Sequence, residues 1–163
     1  MVKFFLGLAI VAICSLLGYV LSSKYRQRKQ FYVQLRMFNE RFLHEISYYK
    51  RPLGEFIAKY TYQGQFDEVL HDFYKQLATQ KQRRISFDFA EYTFLQKEEH
   101  VFLEDYFQMI GKGDSSSQKV YFSSMKEEIQ KRCTTAETEY KKYGDLYIKL
   151  GFLCGLFILV LII

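Results

Sequence analysis

FFLGLAIVAICSLLGYVL, residues 4–21, runs eighteen positions without a charged side chain. As a helix rising 1.5 Å per residue it is about 27 Å long, close to the thickness of a bilayer's hydrocarbon core. This predicts a transmembrane helix over residues 4–22. A secretory signal peptide competes for the same stretch. The apolar run is longer than a usual signal core, and no small-x-small cleavage site follows it. Lys24, Arg26, Arg28 and Lys29 come next, so the segment reads as a retained anchor. Ile13 is bulky where a lipoprotein site at Cys14 would need a small residue. LGFLCGLFILVLII, residues 150–163, is equally apolar. Leu146, Tyr147 and Ile148 extend it past Lys149, whose amine can snorkel to the interface. This predicts a second transmembrane helix over residues 146–163.

Charge orients the two spans. Lys24, Arg26, Arg28 and Lys29 follow the first, and Lys141, Lys142 and Lys149 border the second. On the other side stands only Lys3. The positive-inside rule therefore places residues 24–145 in the cytoplasm and both termini outside, in a multi-pass protein of the cell membrane with two spans. The formal net charge is +5, and the basic excess lies near the apolar ends. That pattern favours a lipid bilayer and its headgroups over nucleic acid as the partner.

Between the spans the periodicity is helical. Phe31, Leu35, Phe38, Phe42, Ile46 and Tyr49 recur at spacings of three and four, one face of a long helix. Pro52, the chain's one proline, opens a short second helix through Leu53, Phe56, Ile57 and Tyr60. Residues 61–65 contain Gly64 and read as a turn. Phe66, Val69, Leu70, Phe73 and Leu77 mark a third helix. Residues 80–84 are a polar break, and residues 86–110 read as two more helices. Gly111 and Gly113 form a loop. Ser115 and Gln118 then have capping-box spacing for a last helix that continues into the second span. Strand-period alternation appears nowhere. The expected fold is all-α: two terminal transmembrane helices flanking a cytoplasmic bundle of about six helices.

Catalytic constellations are absent from the pattern. No Gly-x-x-x-x-Gly-Lys phosphate loop exists, so any ATPase has to be a partner. Glu68 and His71 have the Glu-x-x-His spacing of di-metal bundles. Such a site needs a second pair and two further carboxylates, and His44 and His100 follow Arg41 and Lys97 at that offset. Cys14, Cys133 and Cys154 have neither zinc nor disulfide spacing and read as small apolar fillers. The chain is read as a non-enzyme requiring no cofactor and no metal. A membrane-tethered enzyme or metal protein using the Glu68/His71 face is the alternative.

Gly151 and Gly155, and likewise Gly18 and Ser22, form small-xxx-small pairs that let helix backbones approach closely. They serve either packing of the two spans or assembly of several copies, so a homo-oligomer stays open. Glu45 lies among the apolar positions Phe42, Ile46 and Tyr49, at the edge of the core. Tyr48 or an arginine could satisfy it, or a partner could.

Gly18, Ser22, Tyr25, Arg28, the Gln34-Leu35 pair, Glu45-Ile46-Ser47-Tyr48, Pro52-Leu53 with Glu55, the Gly111/Asp114/Gln118 loop and the Leu150–Gly155 end occur in one order. In that order and spacing the chain resembles the stage III sporulation protein AB family over nearly its whole length. It departs from the family at Lys29, where proline is common, at Cys154, in place of one of two adjacent glycines, and around residues 80–87, which look short. The resemblance implies a cytoplasmic domain similar to those of type II secretion F proteins. It also implies a platform role in a channel between mother cell and forespore, beside a cytoplasmic ATPase and other membrane proteins of the same complex. It points to Glu45, Tyr48, Pro52 and Leu53 as interaction residues beside the Gly18, Ser22, Gly151 and Gly155 packing positions.

Overall fold

The computed structural model describes residues 2–49, 52–79 and 92–162, with side chains over residues 7–49, 52–79 and 92–161. Among the described residues there are helices and turns and no strand. Helix α1 (Val2–His44) runs into a π-helical turn, Glu45–Tyr49. Helices α2 (Leu53–Lys59), α3 (Gln65–Thr79) and α4 (Lys97–Met109) follow. Helix α5 (Ser115–Glu139) passes through a second π-helical turn, Tyr140–Gly144, into α6 (Asp145–Ile162). Residues 92–96 form a turn, and the helix expected before α4 falls largely outside the described residues. The chain divides into two compact units, residues 30–134 and residues 1–29 with 135–163.

In residues 30–134 the core is aromatic. Phe31, Leu35, Phe38 and Phe42 are buried along one face of α1, as their spacing predicts. Phe38 sits 5.6 Å from Phe56, 5.8 Å from Tyr62 and 5.7 Å from Phe66, ring centre to ring centre, so α1, α2 and α3 meet on it. Phe122 of α5 closes the other side, 4.9 Å from Phe42 and 5.2 Å from Tyr106. Edge-to-face pairing adds about 0.5–1.5 kcal/mol per pair to the area buried.

Two local features depart from the sequence reading. The face of α1 does not continue to Tyr49, which is 54% exposed, while Glu45 is 3% exposed. The π turn bonds i to i+5 and inserts an extra residue, which rotates the following side chains out of register. The start of α5 is shifted as well. Asp114, not Ser115, caps it: its carboxylate accepts from the Ser117 N–H (3.3 Å) and from the Ser116 hydroxyl (2.6 Å). These bonds, the Ser116 one first, hold the Asp114 carboxyl at about 2, below the ordinary 3.8. A charged carboxylate is also favoured at the positive end of the helix dipole. The capping box lies instead at α4, where the Gln96 N–H donates to Glu99 Oε2 at 2.8 Å.

The glycine conformations are specific to the loops. Gly64, Gly111 and Gly113 have φ of 63°, 78° and 78°, the left-handed region that disfavours other residues.

Among the described residues, two helical stretches, Gly7–Tyr49 and Ser115–Leu161, are long and apolar enough to cross a membrane. Only 17% and 11% of their most apolar windows are buried, so they are not the core of a water-soluble fold.

Candidate functional site

The first candidate is the seam between the two apolar helices. A Cβ on Gly18 would lie 2.6 Å from the Tyr147 carbonyl oxygen and 3.3 Å from the Gly151 Cα. One on Gly151 would lie 2.6 Å from the Cys14 carbonyl oxygen, and one on Gly155 2.8 Å from the Val11 Cα. Gly18 and Gly151 therefore meet backbone to backbone, and Gly155 brings its helix close to the backbone at Val11. Gly144, buried in the second π turn, faces the Ser22 hydroxyl, and Leu159 abuts Gly7. In lipid, where tails are as apolar as leucine, such van der Waals contact is what holds helices together.

Polar contacts follow at the end of the seam. Arg28 and Glu139 form an ion pair between α1 and α5, with the arginine side chain 9% exposed. Tyr25 packs 5.6 Å from Tyr143 and 5.9 Å from Tyr147. The Lys29 ammonium lies 5.0 Å from the Tyr140 ring centre. Sequence reading counted Arg28 and Lys29 as headgroup charges. The structure commits Arg28 to a helix-helix contact, a role hidden because its partner is 111 positions away.

The second candidate is the region around Glu45. Glu45, Phe42, Ile46, Leu53, Phe56, Gly111 and Ser115 line a cleft of about 180 Å³. Pro52 stands just before α2, exposed, with φ −54° and ψ 140°, and its carbonyl accepts from the Phe56 N–H at 3.2 Å. Leu53 is half-buried beside the cleft. Tyr48 is 75% exposed, its ring centre 4.8 Å from that of His44 with the two rings tilted by 43°.

Glu68 and His71 lie on α3 at an open cleft of about 560 Å³, with Asp67, Asp72 and Lys75. The His71 Nδ1 faces its own helix, 2.9 Å from the Asp67 carbonyl oxygen. Among the described residues no group of three or more His, Cys, Asp or Glu is placed to hold a metal ion.

One internal polar pair escaped the sequence reading. Asn39, 1% exposed, donates to the Phe122 carbonyl (3.2 Å) and accepts from the Tyr106 hydroxyl (3.0 Å). It ties α1, α4 and α5 together inside the aromatic core. Complete burial pushes the Tyr106 hydroxyl well above its ordinary value, so it stays a neutral donor. Asn39 falls off the apolar stripe by one position, which is the signal that marks it.

No curated protein and no solved structure matches the chain. The family model for stage III sporulation protein AB matches residues 3–163, essentially its whole length. With two apolar terminal helices, a helical middle and this match, the chain belongs to the stage III sporulation protein AB family and has a role in sporulation.

Proposed function

We propose that this protein is a non-enzymatic membrane platform of a channel between mother cell and forespore, built like a type II secretion F protein. Its middle domain lies in the cytoplasm and couples to an ATPase and to the other membrane proteins of the complex. The observation that carries this reading is the glycine seam. Two apolar helices packed backbone to backbone form a paired anchor, and Gln30–Thr134 makes its own compact unit. A protein built so has a rigid membrane foot and a separate surface for contacts. The basic residues Lys24, Arg26, Lys141, Lys142 and Lys149 support a cytoplasmic middle.

The test is a sporulation assay after engulfment, with each variant at equal level. An assembly role predicts that Gly155→Leu, which drives a side chain into the Val11 backbone, blocks sporulation. Glu68→Gln and His71→Ala leave it intact. If His71→Ala abolishes sporulation while Gly155→Leu is silent, the protein works through chemistry on the α3 face and not through assembly.

A further inference from the structure

The first π turn and α2 carry a connected run of rings and basic groups that a membrane foot does not explain. The Arg41 guanidinium lies 4.6 Å from the Tyr60 ring centre and 5.4 Å from that of Tyr62. The Lys59 ammonium lies 5.0 Å from Tyr60 and 5.5 Å from Tyr49. The His44 ring is 5.7 Å from Tyr49 and 4.8 Å from Tyr48. Each contact shares a residue with the next, so the ladder is continuous from α1 through the π turn to α2. Its outer end is in solvent: Tyr48 is 75% exposed, Tyr49 54%, and His44 and Lys59 are exposed too. Glu45, in the π turn, is buried against the neighbouring cleft, and Glu55 is exposed on α2 one turn before Lys59. The next two residues in sequence, Lys50 and Arg51, are also basic.

The π turn produces this surface. Its extra residue turns Glu45 inward and Tyr48 and Tyr49 outward. The basic groups rest on ring faces before any partner arrives, so binding orders them little further. Their N–H groups still have capacity for anionic acceptors, and tyrosine and arginine are the residues that dominate binding hot spots. We propose that this ladder is a docking surface for an acidic segment of another protein, with carboxylates seated on Arg41 and Lys59 between the tyrosine rings. An anionic lipid surface is disfavoured. Lipid-binding faces insert leucine, phenylalanine or tryptophan, and the exposed apolar side chains of the ladder are tyrosines. The proposal deepens the platform reading and rests on it only for the identity of the partner.

The full chain in phosphatidylcholine nanodiscs is titrated against a fluorescein-labelled octaglutamate peptide, read by fluorescence anisotropy. The wild type binds saturably. Lys59→Gln and Arg41→Gln each weaken binding about tenfold, the loss of one charge-assisted hydrogen bond. Tyr48→Ala weakens it with no change of charge. Lys119→Gln with Lys126→Gln, exposed on α5, removes two positive charges and leaves binding unchanged. Lys59 and Tyr48 are exposed, so those variants report on the surface even if Arg41→Gln disturbs the fold. Absence of wild-type binding, or an equal loss in the α5 pair, overturns the proposal. So does ladder-dependent binding to vesicles of phosphatidylglycerol and phosphatidylcholine in equal parts without octaglutamate binding, which makes the surface a lipid site. Co-purification of an ATPase with the wild-type chain is scored separately. If the ATPase co-purifies and octaglutamate does not bind, the ladder falls and the platform stands. If octaglutamate binds through the ladder and no ATPase co-purifies, the ladder stands and the platform falls.

Discussion

Gly151→Ala is the smallest change that tests the seam. The added Cβ would lie 2.6 Å from the Cys14 carbonyl oxygen, 3.1 Å from the Gly18 Cα and 3.3 Å from the Gly18 nitrogen. All three are backbone atoms of the facing helix, so no change of rotamer relieves the clash and the helices must part. A gap of about 0.5–1 Å forfeits a quarter to a half of each dispersion contact it opens. Overpacking of this kind costs about 1–3 kcal/mol, which is about 5- to 150-fold in the balance between packed and separated helices. The assay uses the full chain in mild detergent, with its native cysteines replaced by alanine and a fluorophore pair on Lys24→Cys and Lys149→Cys. Energy transfer follows separation of the helices as sodium dodecyl sulfate is added. Gly151→Ala separates at clearly lower dodecyl sulfate than the parent. Leu153→Ala, on a side chain 58% exposed on the same helix, shifts the balance by no more than about 0.5 kcal/mol. Equal midpoints for Gly151→Ala and the parent would refute the reasoning, because a backbone contact of this kind cannot absorb a methyl group without moving.

Three further outcomes are expected, two from the structure and one from the charges that flank the apolar helices. Asn39→Ala strands the Tyr106 hydroxyl inside the core, at about 1–3 kcal/mol for the unsatisfied group, while the Phe122 carbonyl keeps its helical bond within α5; thermal unfolding measures it, and an unchanged melting temperature contradicts it. Asp114, its carboxyl held at about 2 by the Ser116 and Ser117 bonds, stabilises the folded chain fully above its ordinary 3.8, and the contribution is lost as pH falls through about 2. Asp114→Ala therefore melts lower at neutral pH, the difference closes near pH 2, and a carboxyl carbon titrating in NMR near 4 refutes the cap. Reporter fusions in the loop at Gly113 are expected to read cytoplasm and fusions at either terminus to read outside; an external signal at Gly113 sinks the proposed topology.

The parts legible in the sequence were those set by short spacing. The charge-free run at 4–21, and that at 150–163 together with Leu146, Tyr147 and Ile148 before it, announce helices of membrane length. The three-and-four spacing from Phe31 to Phe42 names a buried face that the structure buries. The reading fails at Glu45–Tyr49 because a π turn has no compositional signature: the local sequence still steps by threes and fours while the backbone adds a residue. It misplaces the start of α5 by one residue because Asp114 and Ser115 are both good caps and the spacing to Gln118 favoured the serine. Asn39 and Arg28 were not found as partners because Tyr106, Phe122 and Glu139 stand 67, 83 and 111 positions away. The small-residue pairs were visible, but spacing alone does not say whether they meet each other or another copy. The structure sets Gly18 against Gly151.

The platform role is tested most directly by purifying the affinity-tagged full chain from sporulating cells in mild detergent and identifying what accompanies it by mass spectrometry. A P-loop ATPase together with other membrane proteins is expected in fixed proportion to the chain, and both are expected to be lost from the Gly155→Leu variant at equal expression. Recovery of the chain without any ATPase, from cells that sporulate normally, would contradict it.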